Sequence, residues 1–170
     1  VVLVLGLLFG APLGEPANPG ISPNPAKAPW YFMGLQELLI HFDALFAVVV
    51  IPASVAAFLI AAPYLSREPQ PAGDWFLTPK GRRMAVVAAL AALVVVPLSV
   101  VADELAVVPF AFLVLAIAAF YWLVRRVFAP TRCEIVQTMF VLLFISFLVL
   151  TSIGIWFRGA GMSLVWPWQI

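Results

Sequence analysis

The sequence contains stretches of about twenty mostly apolar residues, and these runs restrict the chain to very few folds. A lipid bilayer offers no water to open backbone groups, so a run of this kind crosses it as a helix that satisfies its own hydrogen bonds. The chain is 65% hydrophobic and 10% charged, with a mean hydropathy of +1.12, whereas soluble domains are roughly half apolar and a quarter charged. The sequence therefore predicts an all-α, polytopic transmembrane helix bundle and excludes a water-soluble globule.

Four of the apolar stretches are long enough for a full span. They are residues 34–62, 84–102, 105–124 and 135–156. Residues 1–10 are too short to span and lack the basic flank of a secretory signal, so they are interpreted as the end of a preceding helix. Residues 11–33 are rich in proline and form a stiff outer loop, because proline fixes φ and lacks an amide donor. With an outer C-terminal segment at 157–170, the chain is predicted to be one transmembrane domain.

Basic residues are concentrated in two of the connections between spans. Residues 65–83 and 125–134 together contain seven of the nine Lys and Arg residues, whereas the turn at Asp103 and Glu104 has none. The positive-inside rule therefore predicts that 65–83 and 125–134 are cytoplasmic, with the other connections and the C-terminus on the opposite face. A net charge of +1 provides no basic field for nucleic acid, which excludes nucleic-acid binding.

The chain has one histidine, His41, and one cysteine, Cys133. A bis-histidine haem, a tetrahedral zinc site and a disulfide each need more ligands than these. The sequence therefore predicts no metal site held by this chain alone. Cys133 lies among charged residues at a predicted membrane edge, where an inert thiol, a thioether and a lipid attachment all stay open.

Residues 14–32 contain the most specific motif. The run begins Gly-Glu-Pro-Ala, has prolines at Pro19 and Pro23, and ends in Trp30-Tyr31-Phe32. It resembles the loop of the cytochrome b family that contains the Pro-Glu-Trp-Tyr signature. The likeness is greatest to subunit IV, the separate C-terminal half of cytochrome b in b-f-type complexes. It covers those nineteen residues closely and the rest of the chain in layout only.

The resemblance implies a membrane subunit of a quinol:cytochrome c oxidoreductase, not an enzyme on its own. Such a subunit lines the outer quinol-oxidation site and supports electron transfer and proton release. The implied ligand is quinol or quinone, and the b haems belong to a partner N-terminal half. Further implied partners are a Rieske iron–sulfur protein, a c-type cytochrome and lipids, in a dimeric multi-subunit complex. The implied location is a bacterial inner membrane or an equivalent energy-transducing membrane.

The sequence departs from the family motif at its acidic position. The motif has Glu directly before Trp-Tyr, where this chain has Pro29, and proline cannot accept a proton. Apolar and aromatic side chains are typical of a pocket for a quinone ring. The predicted quinol-binding residues are Pro29, Trp30, Tyr31, Phe32 and Met33. Anchoring of the Trp and Tyr rings at the membrane interface is the simpler alternative, and both roles are compatible.

Glu37 is the predicted substitute for the missing acid. It follows Tyr31 by six residues, and a carboxylate inside an apolar stretch is costly enough to suggest function. Desolvation is expected to raise its pKa toward that of a useful general base. His41 lies four residues further on, on the same helix face, as a candidate proton relay. The alternative is an interfacial polar cluster, including Asp43, that caps the span and contacts a neighbouring subunit.

Two other functions remain open. A non-catalytic scaffold of a respiratory or photosynthetic complex would have kept the loop and lost the acid. A small transporter is disfavoured, because the spans after the first contain no internal charges of the kind that mark ion pathways.

Overall fold

The structure is a computed structural model that describes residues 20, 27–65, 75–76, 78–105 and 112–169. These parts of the chain are mostly helical and contain no β-strand, which confirms the predicted helical class. The predicted helix end at 1–10 and most of the Pro-rich loop lie outside the described residues, as does much of the 65–83 connection. The helices are α1 (Met33–His41), α2 (Ile51–Leu65), α3 (Pro79–Glu104), α4 (Phe112–Phe128) and α5 (Arg132–Trp156).

Three helical segments of the described chain are long and apolar enough to cross a membrane. They are Phe46–Leu65 with 20 residues, Pro79–Glu104 with 26 and Arg132–Trp156 with 25. The predicted third span at 105–124 corresponds to α4, whose described helix starts only at Phe112 and has 17 residues. The transmembrane character is thus supported, but four full spans are not confirmed.

The prediction of one continuous helix over residues 34–62 is wrong. Helix α1 ends at His41, and Phe42 is extended, with φ −128° and ψ 157°. The Asp43 Oδ1 atom then accepts a hydrogen bond of 3.0 Å from the amide of Leu45. A short polar side chain competes for backbone bonds in this way, which favours a turn over a helix. Helix bonding resumes as a π-helical turn at Phe46–Val50, just before Pro52, which lacks an amide donor.

Helices α3 and α5 both start before the predicted positions, because each has a threonine cap. The side chain of Thr78 accepts from the amide of Gly81 at 3.0 Å, and Pro79 occupies the first turn. Thr131 and Glu134 form a capping box, in which the Glu134 amide donates to Thr131 at 3.3 Å and the Thr131 amide donates to Glu134 at 2.9 Å. The hydroxyl of Thr78 donates to Glu134, so the two helix starts are joined.

Helices α3 and α5 run in the same direction and pack along their length. Small residues of α3 allow the two helices to approach closely, and the contacts occur in the same order along both helices. Ala88 and Ala92 pack with Leu142, and further along Val96 and Val100 pack with Leu150 and Ile153. At the far end Arg158, just after α5, binds Glu104 of α3.

Helix α1 packs against this far end. Its Leu38 and the following Phe42 lie on the apolar core formed by Val96, Val100 and their α5 partners. The short helix therefore occupies the same end of the bundle as Glu104 and Arg158, and this arrangement builds the site described next.

Candidate functional site

Two glycines bring α1 close to α5. A Cβ atom at Gly34 would lie 2.7 Å from Oγ1 of Thr151, and one at Gly154 would lie 3.2 Å from the carbonyl oxygen of Met33. Met33 is accordingly buried against α5. The structure therefore places Met33, one of the predicted quinol-binding residues, in a helix–helix contact and not on the surface of the predicted wall.

The three aromatic residues before α1 face outward. Trp30, Tyr31 and Phe32 are 71%, 54% and 52% exposed, and they form a 3₁₀ turn closed by a 2.8 Å hydrogen bond from the Phe32 amide to the carbonyl of Pro29. Neighbouring ring centroids lie 5.6 Å and 4.9 Å apart, which is the spacing of edge and tilted aromatic pairs. Residues 30–32, called the aromatic segment below, thus present a continuous apolar surface.

Glu37 of α1 is bound by Arg158, and both side chains are 0% exposed. The Nε atom of Arg158 lies 3.1 Å from each carboxylate oxygen of Glu37, and Nη2 lies 2.5 Å from Oε1. Nη1 donates to Glu104 Oε2 at 3.1 Å and to the carbonyl of Met162 at 2.9 Å. A guanidinium that is desolvated to this degree needs such partners, and Arg158 has them on three sides.

His41 links Glu37 to a second carboxylate. Its Nε2 lies 3.3 Å from Glu37 Oε1, and its Nδ1 lies 2.5 Å from Asp103 Oδ2. The His41 side chain is buried, whereas that of Asp103 is 27% exposed. The group of Glu37, His41, Asp103, Glu104 and Arg158 is called the ionic cluster below. It joins α1, the end of α3 and the segment after α5.

The cluster sets the charge of its α1 members. Burial by itself would raise the pKa of Glu37, but hydrogen bonds and charges from His41 and Arg158 outweigh it and lower that pKa. Burial would lower the pKa of His41, but the hydrogen bonds and charges of Glu37 and Asp103 raise it instead. The predicted upward shift of the Glu37 pKa is therefore wrong. The hydrogen bond with His41 and the guanidinium of Arg158, which lies 121 residues away in the sequence, together override desolvation.

The predicted pairing of Glu37 with His41 corresponds to a real contact, whereas Asp43 is exposed and caps the next helical turn. Asp103, Glu104 and Arg158 were not predicted. A signal for them exists, because the charge count places an acidic turn and a lone arginine on one membrane face. Opposite charges at the same apolar edge are expected to pair.

The opposite end of the bundle has a second polar group. Lys80 Nζ lies 3.3 Å from Glu134 Oε2 and 3.3 Å from the carbonyl of Ala129, so it adds to the bonds that join the starts of α3 and α5. Cys133, at the start of α5, is buried beside this group. Within the described residues, no three His, Cys, Asp or Glu side chains are grouped to hold a metal ion.

A cavity of about 670 Å³ lies between α3, α5 and the C-terminal segment. Its lining is apolar and includes Val100 and Ile153, which also form the core beneath α1, together with Trp166 near the chain end. The volume is within the range of small-molecule sites, roughly 300–1,000 Å³. The aromatic segment, the ionic cluster and this cavity are all built around the same end of the bundle.

Comparison of the chain with protein-family models, curated proteins and solved structures finds no match.

Proposed function

We propose that this chain is the C-terminal half of a cytochrome b, a membrane subunit of a quinol:cytochrome c oxidoreductase, and that its aromatic segment forms one wall of the outer quinol-oxidation pocket. The observation behind the proposal is that three consecutive exposed aromatic residues begin a helix anchored by a buried ionic cluster. The resemblance of residues 14–32 to the cytochrome b loop supports the same assignment.

Physical reasoning supports a ligand or partner on the aromatic segment. Large exposed apolar surfaces next to polar groups commonly mark interaction sites. A binding site needs side chains that are held in place by supporting contacts, and rings on an anchored helix start meet this need. The buried bond between Glu37 and Arg158 supplies that anchor. The apolar cavity at the same end of the bundle offers room for hydrocarbon.

The proposed proton acceptor is the pair Glu37 and His41. Pro29 occupies the place of the motif acid, and the ionic cluster contains the nearest buried carboxylate on the same helix. The cluster keeps Glu37 ionised, which is the form that accepts a proton. In this proposal the electrons pass to partners, namely the b haems of an N-terminal cytochrome b half and a Rieske iron–sulfur protein that serves a c-type cytochrome.

The proposal includes an orientation in the membrane. The aromatic segment and ionic cluster lie on the outer, electrochemically positive face of an energy-transducing membrane, and the basic connections at 65–83 and 125–134 are cytoplasmic. Protons released at the cluster then leave on the outer side.

Quinol-dependent reduction of cytochrome c in membranes that contain the full complex tests the proposal. Tyr31→Ala is expected to raise the quinol KM several-fold, because it removes the central ring of the wall. Tyr64→Ala, at the end of α2, removes another exposed tyrosine, outside the aromatic segment, and is expected to leave the kinetics unchanged. Equal effects of both variants would contradict the assignment.

Replacement of Glu37 by Gln tests the acceptor. The exchange keeps the shape of the side chain and is expected to lower turnover by about a hundredfold, as for other general bases. Turnover close to that of the unaltered complex would remove Glu37 from the mechanism.

A non-catalytic scaffold is the second candidate, and the closed geometry of Glu37 favours it. Both carboxylate oxygens are within hydrogen-bond distance of Arg158, and the side chain is 0% exposed, as expected for a purely structural ion pair. Haem spectra of the purified complex separate the two. A scaffold would purify without b haem and without quinol-dependent activity.

A further inference from the structure

Asp103 has no role in the proposed function. It is the penultimate residue of α3 and contacts His41 of α1. Its side chain is the partly exposed end of a line of three polar side chains. Glu37 lies at the buried end of that line.

The line is continuous. Glu37 Oε1 is 3.3 Å from His41 Nε2, and His41 Nδ1 is 2.5 Å from Asp103 Oδ2. The two ring nitrogens of His41 thus face two different carboxylates. A proton that arrives on one nitrogen can therefore leave from the other, which is the geometry of an imidazole shuttle.

From this geometry we propose that Asp103 is the proton-release residue of the site, which passes protons from the Glu37 and His41 pair to water at the outer surface. The inference rests on the proposed function, which supplies the protons. Quinol gives up two protons and two electrons, and the electrons pass to the iron–sulfur protein and the b haem of the proposed partners.

The proton steps balance as follows. Protonated Glu37 gives its O–H proton to His41, where an Nε2–H bond forms. The Nδ1–H bond of His41 breaks, and that proton forms an O–H bond on Asp103. Asp103 then gives the proton to water. His41 regains its starting tautomer when Nδ1 takes up a proton from water and Nε2 loses its proton to water.

The second arm of the cluster lacks this property. Arg158 connects Glu37 to Glu104, but a guanidinium stays protonated at all accessible pH values and cannot relay a proton. Both arms end on partly exposed carboxylates of α3, yet only the His41 arm contains a group that can accept and release. The geometry therefore distinguishes Asp103 from its neighbour Glu104.

Asp103→Asn tests the proposal in membranes that contain the full complex. The exchange keeps the size of the side chain and its bond to His41 but removes the proton acceptor. We expect kcat for quinol-dependent cytochrome c reduction to fall by about tenfold or more. The quinol KM should stay nearly unchanged, because Asp103 does not belong to the aromatic segment. Asp43→Asn, an exposed carboxylate outside the cluster, is the matched control and should behave as the unaltered complex does.

The pH profile separates proton release from a structural role. Among the residues that the structure describes, the charged groups that face His41 include Glu37 on its own helix, Asp103 on α3 and Arg158 after α5, with Glu104 bound on the far side of Arg158. Only the carboxylate form of Asp103 can accept a proton from His41. If Asp103 accepts the proton, it causes part of the fall in kcat at acid pH, called the acid limb. That part should be lost in Asp103→Asn and kept in Glu104→Gln. Thermal unfolding of the two variants shows whether they lose similar stability.

A slow Asp103→Asn complex with a changed acid limb supports the proposal. A rate and profile equal to those of the unaltered complex, or equal changes in Glu104→Gln, overturn it and leave the proposed function standing. If the unaltered complex shows no quinol-dependent reduction at all, the proposed function fails and the proton-release role fails with it.

Discussion

Arg158 holds the site together at the scale of single residues. It is fully buried and binds Glu37, Glu104 and the carbonyl of Met162. Arg158→Met keeps much of the side-chain volume but leaves the Glu37 carboxylate buried without its cation. Breaking a buried pair in this way costs about 3–5 kcal/mol, so we expect a loss of that size in the free energy of unfolding, measured in detergent micelles.

The double variant Glu37→Gln with Arg158→Met identifies the cause of that loss. It removes the orphaned charge, so it should be more stable than Arg158→Met alone, since neutral replacement of a whole buried pair is often tolerated. If the double variant is no more stable than the single one, the loss comes from packing and not from the unpaired carboxylate.

Gly34 sets how closely α1 approaches α5. An alanine Cβ there would lie 2.7 Å from Thr151 Oγ1 and 3.0 Å from Phe147 Cε2, so neighbouring atoms must move. Overpacking of this kind costs about 1–3 kcal/mol, which we expect for Gly34→Ala in the same unfolding measurement. The double variant Gly34→Ala with Thr151→Ala removes the nearer contact and should recover part of the loss. A neutral Gly34→Ala would show that the two helices do not pack this tightly.

At the scale of elements, docking of α1 should depend on pH. His41 has a pKa raised above its ordinary 6.5, so its stabilising effect is complete below 6.5 and is lost as pH rises through the raised value. Glu37 has a pKa lowered below its ordinary 4.5, so its effect is present above 4.5 and is lost as pH falls through the lowered value. Docking should therefore be tightest from pH 4.5 to 6.5 and weaken at alkaline pH.

Hydrogen exchange of the α1 amides, corrected for the intrinsic effect of pH, measures this docking. Protection should fall on the alkaline side of the window, while α4, which contributes nothing to the ionic cluster, serves as the internal reference. His41→Gln should remove the alkaline loss of protection. An unchanged alkaline loss in that variant would assign the pH dependence to another group.

Local sequence signals predicted some of these elements but not the way they meet. The apolar runs indicated the long helices, and the spacing of Glu37 and His41 indicated their shared face. The break at Asp43 was missed because apolar residues continue on both sides of it. The evidence for the break is a single hydrogen bond from the Leu45 amide to the Asp43 side chain, which apolar runs do not reveal. The starts of α3 and α5 were placed too late because apolar runs do not include polar caps such as Thr78 and Thr131.

The chemistry of the site depended on contacts that no local pattern contains. The pKa of Glu37 was predicted in the wrong direction. Desolvation can be inferred from its apolar neighbours, but the opposing effects of the His41 hydrogen bond and of the distant Arg158 guanidinium were not included. The contact between His41 and Asp103 likewise joins residues 62 positions apart. The charge count along the chain came closest to finding them, since it placed these groups at one membrane face.

At the scale of the whole molecule, the two ends of the bundle differ in charge. Helices α3 and α5 run parallel, so their starts meet at Lys80 and Glu134 and their ends meet at Glu104 and Arg158. The basic residues of these connections that the structure describes are grouped at the end where these helices start; they are Lys80, Arg82, Arg83, Arg125, Arg126 and Arg132. From this asymmetry the positive-inside rule predicts the orientation of the whole bundle.

Labelling of single cysteines on intact cells tests this orientation. In a Cys133→Ser background, which removes the only cysteine of the chain, Ser163→Cys and Arg82→Cys place one thiol at each end of the bundle. Both positions are exposed, so access depends on the membrane and not on burial. An impermeant maleimide should label Ser163→Cys on intact cells and Arg82→Cys only after lysis. The reverse pattern would place the ionic cluster on the cytoplasmic face, and proton release to the outer side would then be impossible for this site.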